Sequence, residues 1–126
     1  MRDTPYFSYD IPTCLARSVR HSWYPGGSCE AERSSVLNTA VFESEQAGAR
    51  GLRNVYFIDE TERICQSNIC RPIQGKMLVY RDHHHLTGAF ADSLITALGT
   101  KLHAILNAPI DPSAARTASM RSQVLQ

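Results

Sequence analysis

The clearest alternation of apolar and polar positions lies in the last third of the chain. Between Phe90 and Leu106, apolar side chains return every three or four residues, which is the spacing of one face of an α-helix. Thr87 stands just before this run and can cap the first turn. We therefore predict a helix over residues 87–106 whose apolar stripe faces the core. The stripe consists of Phe90, Leu94, Leu98, Leu102 and Ile105, with Ala91, Ile95 and Leu106 beside it.

A second helical pattern covers residues 28–48. Ser28 can serve as the N-cap, and Glu30 and Glu32 follow in the first turn, where the helix dipole favours acidic groups. Gly48 ends the pattern. The predicted buried face consists of Val36, Leu37, Ala40, Val41 and Ser44.

Two short apolar runs, residues 55–58 and residues 77–80, predict buried strands. The first is β-branched and aromatic without a break, which is typical of a strand in a parallel sheet. A helix followed by such a strand is half of a βαβ unit, so we predict the α/β class. Residues 61–76 between the runs are polar and rich in turn formers. We expect the nearby charged side chains to be solvated; they are Arg50, Arg53, Glu60, Glu62 and Arg63.

The two ends of the chain show no such periodicity. Residues 1–28 are interrupted by Pro5, Pro12, Pro25 and a Gly-Gly pair, and we predict a long surface loop that aromatic side chains pin down. Residues 108–126 are small and polar, which predicts a disordered tail. The remaining residues 1–107 form one predicted unit.

Composition narrows the classes of function. The chain of 126 residues is 43% apolar and 20% charged, which suits a single globular domain. Its net charge of +1 gives no reason to expect nucleic acid as a partner. No apolar run is long enough to cross a bilayer, and no basic-then-apolar segment opens the chain. We therefore expect no export signal in this sequence.

The four cysteines bear on whether the protein's compartment is oxidising or reducing. Cys65 and Cys70, five apart across a polar loop, can close a small disulfide; the alternative is a pair of reduced thiols in a cytosolic protein. We expect this disulfide, and we also expect Cys14 to pair with Cys29. The spacing does not match a zinc ribbon because no Cys-x-x-Cys pair is present.

Candidate chemistry lies between the second strand and the last helix. Asp82 and His85 are three apart, so the carboxylate can hold one ring nitrogen of the imidazole and leave the other free to move a proton. From the residues alone, the favoured interpretation of Asp82 is the common one, a carboxylate that accepts backbone N–H groups at a helix start. The run from His83 to His85 leaves a small metal-binding domain as a weaker alternative, although adjacent side chains in a loop usually diverge.

The order of these pieces resembles the end of an SGNH (GDSL-type) hydrolase domain, and more narrowly the SGNH domain fused to membrane acyltransferases of the acyltransferase-3 group. The matching pieces are Val55-Tyr56-Phe57-Ile58-Asp59, Ile64-Cys65 with Cys70, Gly75-Lys76-Met77-Leu78-Val79-Tyr80, Asp82-His83-His84-His85-Leu86-Thr87 and the loop Pro12-Thr13-Cys14-Leu15-Ala16-Arg17.

The resemblance implies a flavodoxin-like three-layer fold and a serine-dependent esterase or O-acyltransferase. His85 would be the general base and Asp82 would orient it. The parent protein would take an acyl donor and a glycan acceptor, and it would modify cell-envelope polysaccharide on the periplasmic or extracytoplasmic side. Its link to the membrane would be an N-terminal acyltransferase domain. No cofactor and no metal are implied.

The sequence departs from the family at the nucleophile. The family's serine belongs to a Gly-Asp-Ser block on the first strand, and the chain contains no such block. Ala91-Asp92-Ser93 follows His85 and falls within the last predicted helix, and Gly51-Leu52-Arg53-Asn54 precedes a strand instead of following one. We therefore expect the C-terminal portion of an SGNH domain that lacks its N-terminal strands, inactive and poorly stable alone. The alternative is a non-catalytic remnant or binding domain.

Overall fold

The computed structural model describes residues 1–20 and 29–108. It contains helices and small sheets, a mixed α and β architecture, in the order α1 (Ile11–Arg20), β1 (Ala31–Glu32), α2 (Arg33–Val36), α3 (Thr39–Gly48), α4 (Thr61–Ile64), β2 (Ile69–Cys70), β3 (Ile73–Gln74), β4 (Met77–Leu78) and α5 (Gly88–Leu106). The cap predicted at Ser28 lies outside the described residues, and so does nearly all of the predicted tail over residues 108–126.

The prediction of a surface loop at the N-terminus is wrong. Residues 11–20 form α1, and Phe7 and Ile11 are fully buried. Pro12 does not break the helix because it lies in the first turn, where a missing N–H costs nothing. The side chain of Asp10 accepts a hydrogen bond of 2.8 Å from the N–H of Thr13, which is the pattern of an N-cap.

The single helix predicted over residues 28–48 is divided. This segment contains the strand β1, the short helix α2 and a separate helix α3. The N-cap of α3 is Asn38, whose side chain accepts a hydrogen bond from the Val41 N–H at 3.2 Å. The predicted face is confirmed only at its start: Val36 is buried and Leu37 partly buried, but Val41 is exposed and Phe42 is the buried residue of α3. Phe42 packs edge-on against Phe57, with ring centroids 5.6 Å apart.

The parallel sheet expected for this part of the chain is not formed by the described residues. Residues 55–58 form no strand, and both Val55 and Tyr56 are exposed. The described strands pair antiparallel, β1 with β2 and β3 with β4. The hairpin of β3 and β4 turns at Gly75, whose φ of +61° suits the first position of a two-residue loop. The flavodoxin-like arrangement of the whole domain stays a prediction.

One charged residue expected in solvent is buried. The side chain of Glu60 is only 6% exposed and lies 2.8 Å from Lys101 Nζ of α5 and 3.4 Å from Arg63 Nε. Lys101 also donates to the carbonyl of Asp59 at 2.6 Å. Burial of a carboxylate requires such partners, so these contacts tie the second half of α5 to the segment before α4.

The last helix confirms its prediction. α5 covers Gly88–Leu106, and the Thr87 side chain accepts from the Phe90 N–H at 3.2 Å. The predicted stripe is covered unevenly: Phe90 is buried, Leu94, Leu98 and Ile105 are partly buried, and Leu102 is 43% exposed. The length and apolarity needed to cross a bilayer are not found together in any helix of the described part of the chain.

The core lies between the N-terminal segment and the approach to α5. Phe7 and Tyr80 are both fully buried, and their rings meet edge to face at 4.9 Å. Both expected disulfides are present, Cys14–Cys29 and Cys65–Cys70. Cys65 and Cys70 belong to the core itself, together with Phe7, Ile11, Val36, Ile64, Val79, Tyr80 and Phe90.

Candidate functional site

The candidate site is the elbow, residues 81–87, which joins the β4 region to α5. Its two ends are held together, because Tyr80 and Leu86 form an antiparallel bridge and the Arg81 N–H donates to the His85 carbonyl at 2.9 Å. The Thr87 N–H donates to the Val79 carbonyl at 2.9 Å. The elbow therefore starts and ends on residues whose positions the core fixes.

Within the elbow, Asp82 and His85 form a close pair. Asp82 Oδ2 lies 2.7 Å from His85 Nδ1. An ionised carboxylate only accepts hydrogen bonds, so Nδ1 carries the proton and Nε2 of the neutral ring is the acceptor. The His85 side chain is 52% exposed. The geometry thus leaves a proton-accepting nitrogen on a ring that solvent reaches.

Asp82 also makes the backbone contacts of the alternative interpretation. Its Oδ1 accepts from the N–H groups of His84 at 3.0 Å and of His85 at 2.9 Å. These two amides and then the His85 ring hold the pKa of the Asp82 carboxyl well below its usual range. The carboxylate is not the N-cap of α5, since Thr87 fills that position. One side chain therefore shapes the turn and orients the imidazole.

The N-terminal segment supports the elbow from outside, which the sequence did not indicate. The Phe7 N–H donates to the His83 carbonyl at 2.9 Å, and Thr4 Oγ1 donates to the His84 carbonyl at 2.8 Å. The ring of Tyr6 stacks on the His84 ring with centroids 5.3 Å apart. No local pattern could reveal these contacts, because Thr4 and His84 are 80 positions apart in the chain.

A cleft of about 620 Å³ opens beside the elbow. The residues that line it are Asp3, Thr4, Tyr6, Ser35, Val36, Leu37, Asn38 and His84. It combines an aromatic ring and two aliphatic side chains with hydroxyl, amide and carboxylate groups, so its lining is mixed polar and apolar.

A second cleft, of about 530 Å³, lies around Arg2 and Arg33. Both guanidinium groups are already paired, Arg2 with Asp59 at 3.0 Å and Arg33 with Glu62 at 2.6 Å. Their charges are therefore compensated, and this cleft is the weaker candidate.

The structure offers His85 no nucleophile from the described residues. Ser93, in the Ala91-Asp92-Ser93 block, lies on the first turns of α5 and donates its hydroxyl to the Phe90 carbonyl at 2.6 Å. Among the described contacts of His85, none involves a serine side chain.

Comparison with known protein families identifies a related family. A family model described as an SGNH domain (fused to AT3 domains) matches residues 1–99. The matched range contains the elbow, both disulfides and the N-terminal segment that supports the elbow. No curated protein and no solved structure matches the chain.

Proposed function

Because this chain belongs to the family of SGNH domains that are fused to AT3 domains, we propose that it is the C-terminal portion of an SGNH-type O-acyltransferase or esterase. The family match confirms the resemblance seen in the sequence. The proposed substrates are an acyl donor and a glycan acceptor of the cell envelope.

The observation that carries this proposal is the 2.7 Å contact between Asp82 Oδ2 and His85 Nδ1 on an exposed ring. In the proposed reaction a serine hydroxyl attacks the acyl carbonyl while His85 Nε2 takes the hydroxyl proton. Asp82 keeps the ring in the required tautomer and stabilises the imidazolium. His85 then returns the proton to the leaving oxygen, and a glycan hydroxyl or water releases the acyl group by the same steps in reverse.

We propose that the serine comes from a segment outside this sequence. A second feature supports this: Ile95, Leu102 and Leu106 lie on one face of α5 and are 62%, 43% and 81% exposed. A continuous apolar helix face in water is unfavourable. Strands of the remaining SGNH domain would cover this face and bring the serine to the elbow.

The disulfides support an oxidising compartment for the parent protein. Cys14–Cys29 and Cys65–Cys70 are both closed. Such bonds persist in the periplasm or outside the cell and are rare in the cytosol. We therefore propose the periplasmic or extracytoplasmic side of the membrane.

A chromogenic acetyl ester tests the proposed function. We expect the 126-residue chain to stay at background, and the chain extended by an upstream segment that carries Gly-Asp-Ser to turn the ester over. In the extended form, His85→Ala should lower kcat by about 10²–10⁴-fold, the usual contribution of a general base. His103→Ala, on an exposed position of α5, is the matched control.

Equal turnover by the extended form and its His85→Ala variant would contradict the catalytic role. An extended form that never turns over the ester would favour the alternative, a non-catalytic binding domain. The observation that favours this alternative is that, within the described residues, Ser93 is bound to the helix backbone instead of facing His85.

A further inference from the structure

We propose that Asp82, His84 and His85 form a binding site for one divalent transition-metal ion of the zinc class, and that the bound ion blocks the Asp82–His85 pair. One ligand atom from each of these side chains lies within 4.8 Å of the others. Two imidazoles and one carboxylate form a donor set typical of zinc. The blocking half of this proposal rests on the proposed function, whereas the binding half does not.

The separations fit a shared ion after small side-chain rotations. Asp82 Oδ1 is 3.8 Å from His84 Nδ1, and Asp82 Oδ2 is 2.7 Å from His85 Nδ1. Bonds from zinc to such ligands are about 2.0–2.2 Å, so two ligand atoms on one ion lie at most about 4.4 Å apart. Both imidazole side chains are partly exposed, at 41% and 52%, and have room to adjust.

His84 Nδ1 is the atom that points to a ligand. It is shielded from solvent and has no hydrogen-bond partner among the described residues. A shielded polar atom without a partner is unfavourable, and a metal ion beside it would remove that cost. The ring is held between Tyr6 at 5.3 Å and His85 at 3.9 Å, measured between ring centroids.

The turn selects two of the three adjacent histidines. Because Asp82 Oδ1 accepts from the amides of both His84 and His85, the backbone curls around the carboxylate and brings the two rings together. His83 is not part of the cluster, and its ring lies against Tyr6 at 6.3 Å. The usual divergence of neighbouring side chains in a loop is therefore overcome for one pair only.

Binding of the ion conflicts with the proposed role of the pair. The ion would lie between Asp82 and His85 and take the place of the proton that they share. The carboxylate would then bind the metal instead of orienting the imidazole. We expect zinc to inhibit any activity that depends on His85.

Metal titration of the untagged 126-residue chain tests the binding half. Cobalt absorption and calorimetry with zinc should give one ion per chain. His84→Ala and Asp82→Asn should each weaken the affinity about tenfold or more. His83→Ala is the matched control and should leave the affinity unchanged, and far-UV circular dichroism shows whether each variant folds.

Two results would overturn the binding site: no binding by the native chain, or a loss in His83→Ala as large as in His84→Ala, which would assign binding to the run of histidines as such. The two proposals can fail separately. Metal binding is measured without turnover, so it stands if no serine chemistry is found. An active extended form that zinc does not inhibit would overturn the blocking half alone.

Discussion

Asp82 is the residue on which the elbow depends. Its Oδ1 accepts from two backbone amides and its Oδ2 faces the His85 ring. A carboxylate with this many donors stays ionised at acidic pH, and its pKa lies well below the usual range. The same contacts thus fix the loop and keep the charge that orients the imidazole.

This carboxylate predicts a pH dependence of stability. Its pKa is lower in the folded than in the unfolded chain, so its contribution is complete above the unfolded value of about 4 and is lost as the pH falls toward the folded value. We expect the urea midpoint of the native chain to fall more between pH 7 and pH 3 than that of Asp82→Asn. An equally large fall in both proteins would contradict the prediction.

At the scale of elements, the position of α5 depends on how its first turn is joined to the β3–β4 hairpin. Thr87 Oγ1 accepts from the Phe90 N–H at 3.2 Å and donates to the Leu78 carbonyl at 2.6 Å. One hydroxyl thereby joins the helix start to the end of β4. The helix start in turn sets where the elbow ends, and so where His85 lies.

Thr87→Ala should destabilise the chain by about 1–2 kcal/mol, because a helix N-cap and the contact to Leu78 are both lost. Thr100→Ala is the matched control, since its hydroxyl donates only to the Thr96 carbonyl within the exposed part of α5. Its effect should stay within about 0.5 kcal/mol. Chemical denaturation measures both, and equal effects would show that the cap does not hold the helix.

The two disulfides should contribute differently to the free energy of unfolding because they close loops of different length. Cys14–Cys29 closes a loop with a separation of 15 residues, so replacing both cysteines by alanine, which adds no buried hydroxyl, should cost about 3 kcal/mol. Cys65–Cys70 spans only 5, and the loss of its loop constraint should cost about 2 kcal/mol. Urea unfolding of the two double variants checks this order. The reverse order would mean that loop length does not decide these contributions.

At the scale of the whole molecule, α5 has two apolar faces and the described chain covers only one. Phe90 and Leu94 contact the core, and Lys101 reaches Glu60. The outer face formed by Ile95, Leu102 and Leu106 is exposed. A chain of this size buries a modest core. An exposed apolar helix face therefore leaves the isolated chain with little stability to fold by itself.

We therefore expect the isolated chain to bind a hydrophobic dye and to melt at low temperature with a broad transition. Replacing Leu102 and Leu106 by lysine should lower dye binding severalfold without lowering the melting temperature, because neither side chain is buried. Phe90→Ala, at a buried position of the same helix, is the contrasting control and should lower the free energy of unfolding by about 3–5 kcal/mol. A sharp melt at high temperature, without dye binding, would contradict the expectation.

Local patterns in the sequence predicted α5, its cap and the proximity of Asp82 to His85, and they favoured the Cys65–Cys70 disulfide. Each depends on residues close in the chain or on strong periodicity, so short-range physics suffices. The family resemblance also followed from the order of these pieces. The pattern was misleading at Pro12, which lies in the first turn of a helix, and at residues 55–58, whose apolar run forms no strand.

Only the tertiary structure decided which surfaces meet. The support of the elbow by Thr4, Tyr6 and Phe7, the burial of Glu60 by Lys101 and the uncovered face of α5 all depend on residues far apart in sequence. The same holds for the convergence of the His84 and His85 rings. The physical reason is that the segment packed against a side chain determines its burial and its partners. Local periodicity does not indicate which distant segment will pack there.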